Sequence, residues 1–172
     1  FQSPWRRGRQ WVLKTPHHLL GGRSGLLKVF PGVPLVMTHR DVGQVLPSYC
    51  SMCASMSLGA STTYRREVQG AHWTSRFRTG LERFEAWRKT LPQGRIVDVR
   101  YEDTVADPVG TAGRVMQSIG LGFDDADRAA MEACIAANAR ENRPRHKYSA
   151  EEFGLTRAGI AADFAFYHDR YL

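Results

Sequence analysis

Pro34-Leu35-Val36-Met37-Thr38-His39-Arg40-Asp41 reads as a short buried strand that delivers three polar residues to its carboxyl end. Pro31-Gly32 stops whatever precedes it. Beyond it, Val42, Val45, Leu46, Tyr49, Cys53 and Met56 recur at helical intervals, with Pro47 tolerable only near the first turn or at a kink. Upstream, Leu19, Leu20, Leu26, Leu27 and Phe30 also follow a helical spacing, weakened by Gly21, Gly22 and Gly25, each costing about 1 kcal/mol relative to Ala in a helix. Before that helix, Trp11-Val12-Leu13 is an apolar run read as another strand, ending at Lys14.

Downstream, residues 57–70 are small and polar and read as a loop. Trp73, Phe77, Leu81, Phe84, Trp87 and Leu91 mark a long amphipathic helix. Pro92-Gln93-Gly94 turns the chain into a third strand, Arg95-Ile96-Val97-Asp98-Val99, which ends at Arg100-Tyr101-Glu102-Asp103. Two further helices carry Val109 to Ile119 and Met131 to Ile135, a basic segment runs from Arg143 to Lys147, and Phe164, Tyr167 and Tyr171 close a last short helix.

Strands separated by helices are too far apart for hairpins, so they pair in parallel through crossovers, the α/β layered architecture. Ligands in such folds sit at the carboxyl ends of the strands. The polar residues gather there: Lys14, Thr15, His17 and His18 after the first strand, His39, Arg40 and Asp41 after the second, Tyr101, Glu102 and Asp103 after the third.

The chain has 172 residues, 42% hydrophobic and 24% charged, which fits a single globular domain over residues 11–172 behind a basic leader at 1–10. A net charge of +7 points to a polyanionic partner. No apolar stretch approaches the roughly 20 residues of a membrane span. The three cysteines, Cys50, Cys53 and Cys134, cannot build a disulfide framework, which favours a reducing, cytoplasmic setting.

Arg40, with Ser48 eight residues on, places a guanidinium fork and a hydroxyl beside a helix N-terminus, the chemistry of a phosphate site. The bland alternative pairs Arg40 with Asp41 and leaves Ser48 capping a turn. His39-Arg40-Asp41 imitates the catalytic triplet of protein kinases, but no Asp-Phe-Gly or glycine-rich loop accompanies it. Gly22-Arg23-Ser24-Gly25 resembles a phosphate loop but lies inside a helical stripe, where such a loop does not belong. Cys50 and Cys53 have metal-knuckle spacing without a second ligand pair, so no metal site is expected and packing thiols on one helix account for them. Adjacent His17 and His18 could supply a proton acceptor near neutral pH, or simply be surface or core histidines.

The order of motifs is more specific than any one of them. Trp11-Val12-Leu13-Lys14-Thr15-Pro16-His17-His18-Leu19, Phe30-Pro31, Thr38-His39-Arg40-Asp41 with Ser48, Arg100-Tyr101-Glu102-Asp103 with Asp107-Pro108, and Arg145-His146-Lys147-Tyr148-Ser149 with Glu152-Phe153-Gly154-Leu155 together resemble bacterial sulfotransferases that use 3′-phosphoadenosine 5′-phosphosulfate. The resemblance spans nearly the whole chain from Trp11. It implies a three-layer P-loop-type α/β sandwich with a parallel sheet, here incomplete, and a nucleotide co-substrate with a small-molecule or lipid acceptor. By the same resemblance Arg40 and Ser48 hold the 3′-phosphate, Tyr101 approaches the adenine, and Arg145, His146 and Lys147 lie near the same phosphate. Lys14 and His18 match the Lys-Ser/Thr-Pro-x-His pattern beside the sulfuryl group.

The family's first strand and its Pro-Arg-Ser-Gly-Thr-Thr type loop, which cradles the 5′-phosphosulfate, have no counterpart before Trp11. This chain by itself is therefore expected to be the C-terminal part of a sulfotransferase domain and inactive alone. The rival reading is a non-catalytic anion- or nucleic-acid-binding basic domain. Against it, the basic residues are scattered and no nucleic-acid-binding signature is present, so no nucleic-acid partner is expected.

Overall fold

Leu35–His39 forms β1 and Ile96–Arg100 forms β2, paired in parallel with Leu35 opposite Ile96 and His39 opposite Arg100. Parallel neighbours need a crossover, and two helices supply it: α3 over Val42–Ser57 and α4 over Arg66–Arg88. Two short helices precede β1, α1 at His17–Leu20 and α2 at Arg23–Val29. After β2 come α5 at Tyr101–Ala106, α6 at Pro108–Ser118, α7 at Asp125–Ala137, a 3₁₀ turn at Glu151–Phe153, α8 at Arg157–Asp163 and α9 at Ala165–Tyr171. This is a computed structural model, and it describes residues 12–15, 17–21, 23–57, 64–138 and 148–172.

The expected parallel α/β arrangement is present, with two strands in the sheet among the described residues. The strand expected at Trp11–Leu13 is not formed: residues 12–15 adopt no regular structure, Val12 is 83% exposed, and Trp11 lies outside the described residues. An apolar triplet has strand propensity but forms a strand only where a neighbouring strand accepts its backbone hydrogen bonds. The single helix expected from Leu19 to Phe30 is two, the first ending at Leu20 before a bend at Gly21. The loop expected over 57–70 is shorter, because α4 already starts at Arg66, and residues 58–63 lie outside the described residues. The polar residues after the third strand are helical, since α5 begins at Tyr101 directly after β2. The last short helix expected over Phe164, Tyr167 and Tyr171 is α9, and a further helix, α8, precedes it, the two meeting at Phe164. Pro47 sits inside α3, which continues past it to Ser57.

The core lies between α3, α4 and the C-terminal helices. Val42, Leu46, Cys50 and Ala54 make a buried stripe at intervals of four along α3 and meet Leu81 of α4 together with Phe153, Ile160, Phe164 and Tyr167. Both α3 thiols are buried, and burial raises the Cys50 pKa to about 11, as suits a packing thiol. The chain packs closely at Gly70, where an added Cβ would lie 2.0 Å from the Phe153 carbonyl oxygen. Gly154 follows in the left-handed conformation, φ 66°, which ends the 3₁₀ turn.

Helix caps explain several acidic residues. Asp107 accepts from the Gly110 N–H at 2.8 Å with Pro108 in the first helical turn of α6, and Asp124 and Asp127 form a reciprocal capping box at the start of α7. No helix among the described residues is long and apolar enough to cross a membrane.

Candidate functional site

Strand alternation sorts the ends of β1 and β2. Leu35, Met37 and His39 share one face with Ile96, Asp98 and Arg100, so the next residues, Arg40 and Tyr101, emerge side by side on the opposite face. The Arg40 guanidinium lies 4.0 Å from the Tyr101 ring centroid, a cation–π contact. Its Nη2 donates to Gln44 Oε1 at 3.0 Å, and its Nε is buried with no hydrogen-bond partner. None of the ion pairs among the described residues includes Arg40. Ser48 is half-buried and follows Gln44 by one turn of α3, about 6 Å along the axis. Arg40, Gln44 and Ser48 thus line one stripe, with Tyr101 beside its start.

Two sequence expectations change here. The alternative pairing of Arg40 with Asp41 does not occur. Asp41 instead turns into the start of α3, where its Oδ1 accepts from the Gly43 N–H at 2.7 Å. For the same reason the helix does not offer the free N–H groups expected for a phosphate. Val42 donates to His168 Nε2 at 3.3 Å, while Gln44 and Val45 donate to the Asp41 carbonyl at 3.0 and 3.1 Å. An anion at this end must be held by side chains.

On the opposite face of the strands, His39 is 1% exposed and fully engaged. Its Nε2 pairs with Asp98 Oδ1 at 2.8 Å, its Nδ1 with the Tyr167 hydroxyl at 2.9 Å, and its ring stacks on Tyr171 at 4.0 Å between centroids. The consistent assignment has Nε2–H donating to the carboxylate and Nδ1 accepting from the phenol. Burial holds His39 below its ordinary pKa, against the pull of Asp98. Burial also pushes Asp98 up, but hydrogen bonds from Arg88 and His39 prevail and hold its carboxyl below the ordinary value. Arg88 grips Asp98 with both terminal nitrogens, Nη1 to Oδ1 at 2.6 Å. Tyr171 donates to Glu85, which pairs with Arg170 at 2.9 Å, and burial raises the Tyr171 pKa to about 12.

Lys14 is exposed on the irregular segment before α1. His18 is half-buried on α1, which packs against α4. The start of α1 is organised by Thr15, whose hydroxyl accepts from the His17 N–H at 3.2 Å and meets His17 Nδ1 at 3.0 Å. Arg145, His146 and Lys147 lie outside the described residues. The structure therefore joins Arg40, Ser48 and Tyr101 and carries Lys14 and His18 on a separate segment.

Sequence reasoning missed Gln44, Tyr167 and His168, all of which touch Arg40 or the residues flanking it. Gln44 was detectable as the helical i+4 neighbour of Arg40 and Ser48. For Tyr167 and His168 the one signal was their place in an aromatic C-terminal helix, which does not say what that helix packs on.

The fold is the P-loop-type α/β fold of sulfotransferases. The sulfotransferase STF1 of Mycobacterium tuberculosis superposes with a TM-score of 0.77 at 33% identity, over 92% of this chain and 40% of that one. The sulfotransferase STF9 of Mycobacterium avium superposes with a TM-score of 0.82 at 24% identity, over 93% of this chain and 41% of that one, and speaks for the fold alone. The chain thus spans about two fifths of the length of these relatives. No curated protein matches it. Residues 2–125 match the model of the sulfotransferase family, and the chain belongs to that family.

Proposed function

We propose that this chain carries the nucleotide-holding part of an enzyme that moves a sulfuryl group from 3′-phosphoadenosine 5′-phosphosulfate to a hydroxyl or amine of a small-molecule or lipid acceptor. The observation that carries the reading is Arg40: a half-buried guanidinium at a strand end, stacked on Tyr101, with a buried, orphaned Nε and no carboxylate partner among the described residues. A buried donor without an acceptor is unfavourable by about 1–3 kcal/mol, and a phosphate supplies the acceptor. Ser48 adds a hydroxyl one turn beyond Gln44, and the aromatic ring of Tyr101 beside Arg40 suits an adenine. In the same reading Arg145, His146 and Lys147 contribute positive charge to phosphate binding.

In this reading Lys14 neutralises charge building on the oxygen that bridges sulfur to the 5′-phosphate, and His18 accepts the acceptor's proton as its oxygen or nitrogen bonds to sulfur. The bond from sulfur to the bridging oxygen breaks, and adenosine 3′,5′-bisphosphate leaves. Remote binding of the 3′-phosphate by Arg40 and Ser48 orients the reacting end.

Calorimetric titration tests the nucleotide assignment. Adenosine 3′,5′-bisphosphate should bind more tightly than adenosine 5′-phosphate, and Arg40→Ala should weaken the bisphosphate by roughly 10- to 150-fold with little effect on the monophosphate. Ser48→Ala should act in the same direction but less. Equal affinity of the wild type for the two nucleotides overturns the assignment.

A further inference from the structure

Arg40 belongs to a two-residue link between β1 and α3. Strand register brings its side chain to Tyr101, and the last helix of the chain holds the residues on either side of it. On one side of Arg40, His39 Nδ1 bonds to the Tyr167 hydroxyl at 2.9 Å. On the other side, the Val42 N–H donates to His168 Nε2 at 3.3 Å, and Asp41 Oδ1 lies 3.4 Å from the same nitrogen. Tyr167 and His168 are adjacent on α9, which begins 124 residues downstream of this link and reaches it only through tertiary packing. Tyr167 is itself buried in the core with Phe164, and Tyr171, one turn on, stacks on the His39 ring at 4.0 Å. The link is therefore held on both flanks by one helix, with β2 adding Asp98 on His39 at 2.8 Å.

We infer that Tyr167 and His168 are positioning residues for the 3′-phosphate site: α9 clamps His39 and Val42 and so aims the Arg40 guanidinium along the Gln44 and Ser48 stripe, over Tyr101. The inference rests on the nucleotide reading of Arg40 given above. Neither residue need touch the nucleotide. The clamp works because the groups it uses are hard to satisfy otherwise. His39 is sealed from water, and the Val42 N–H is one of the first-turn donors that α3 cannot bond internally. The two anchors differ chemically. Tyr167 fixes a side chain at the strand end, whereas His168 fixes the backbone at the helix start. Loss of either frees one flank of Arg40 without removing Arg40 itself.

The test pairs a ligand-free measurement with a binding one, using His168→Ala, His168→Gln, Tyr167→Phe and, as a control, Phe153→Leu, which loosens the core where it packs on α4. Amide hydrogen exchange should quicken at Val42 in His168→Ala and recover in His168→Gln, whose carbonyl can accept the same N–H. The preference for adenosine 3′,5′-bisphosphate over adenosine 5′-phosphate should fall about 2- to 12-fold in His168→Ala and in Tyr167→Phe, as expected for one neutral hydrogen bond. It should be restored in His168→Gln and kept in Phe153→Leu. Should Tyr167→Phe not fold, the His168 pair decides alone, since that side chain is only half-buried. Unchanged exchange at Val42 in His168→Ala overturns the clamp. Quickened exchange with an undiminished nucleotide preference overturns the positioning role. A wild type that binds both nucleotides equally, with Val42 still protected through His168, sinks the nucleotide reading and with it any role in aiming Arg40, while leaving α9 as a structural clasp.

Discussion

The Arg40 guanidinium rests 4.0 Å from the centre of the Tyr101 ring, and the two residues stand directly after β1 and β2. This pair is a product of register: because His39 lies opposite Arg100, the next residue on each strand emerges on the same face. The ring supports the cation without neutralising it, which leaves the charge available to an anion.

The aromatic face, rather than the phenol, should therefore matter. Tyr101→Phe should bind adenosine 3′,5′-bisphosphate within about threefold of the wild type, whereas Tyr101→Ala should lose about 2- to 30-fold, the worth of a partly desolvated cation–π contact. Isothermal titration of the two variants distinguishes ring from hydroxyl.

His18 and His17 separate by turnover. In the enzyme that includes the family's phosphosulfate loop, His18→Ala should reduce turnover by about 10²–10⁴ with nucleotide affinity nearly unchanged, and His17→Ala should matter less. A severe His17→Ala would place the base elsewhere. Residues 1–172 assayed by themselves, with the nucleotide and a panel of hydroxylated acceptors, should show no turnover above background. The removal of even one backbone donor to a developing charge typically reduces rate by about 10²–10³.

Acid should weaken the fold in two steps of the same sign. His39 has a folded pKa below 6.5, so above that pH it is neutral in both states and its site is fully stable. As the pH drops below about 6.5 the unfolded chain takes up a proton that the folded chain refuses, and stability declines until the folded pKa is passed. Asp98 is depressed below 3.8, so its contribution is present above that value and disappears as the pH falls through its folded pKa. Urea denaturation from pH 7.5 to 3 should show this decline. His39→Gln should be less stable at pH 7.5 and should flatten the portion just below pH 6.5. An unchanged slope there in His39→Gln would assign the acid sensitivity to other groups.

Gly70 should tolerate no side chain. A Cβ there meets the Phe153 carbonyl at 2.0 Å, a backbone atom that cannot rotate away, so Gly70→Ala should destabilise by about 1–3 kcal/mol or more in urea melts. Gly122→Ala, with nothing within 4 Å of its Cβ, is the control and should be near neutral.

Periodicity was enough to place β1, α3, β2 and the body of α4, because each is a run whose apolar spacing matches one element and whose neighbours are turn residues. It misled at Trp11–Leu13, where strand propensity is only a willingness to pair, and at Leu19–Phe30, where glycine broke a continuous stripe. The motif order identified the family and picked out Arg40, Ser48 and Tyr101, all three local to strand ends or to the first turns of a helix. The occupied N–H groups of α3 were not legible, since whether Asp41 pairs with Arg40 or folds into the helix depends on backbone geometry that composition does not encode.

The amino-acid sequence by itself determined the α/β class, the main elements and which polar residues gather at the strand ends, because these follow from local spacing and side-chain chemistry. The tertiary structure alone decided that Arg40 lies on Tyr101, that His39 is sealed between Asp98, Tyr167 and Tyr171, and that α9 grips both flanks of the β1 to α3 link. Those contacts join residues 59 to 132 positions apart, and they form only when burial of the shared core brings the distant segments together.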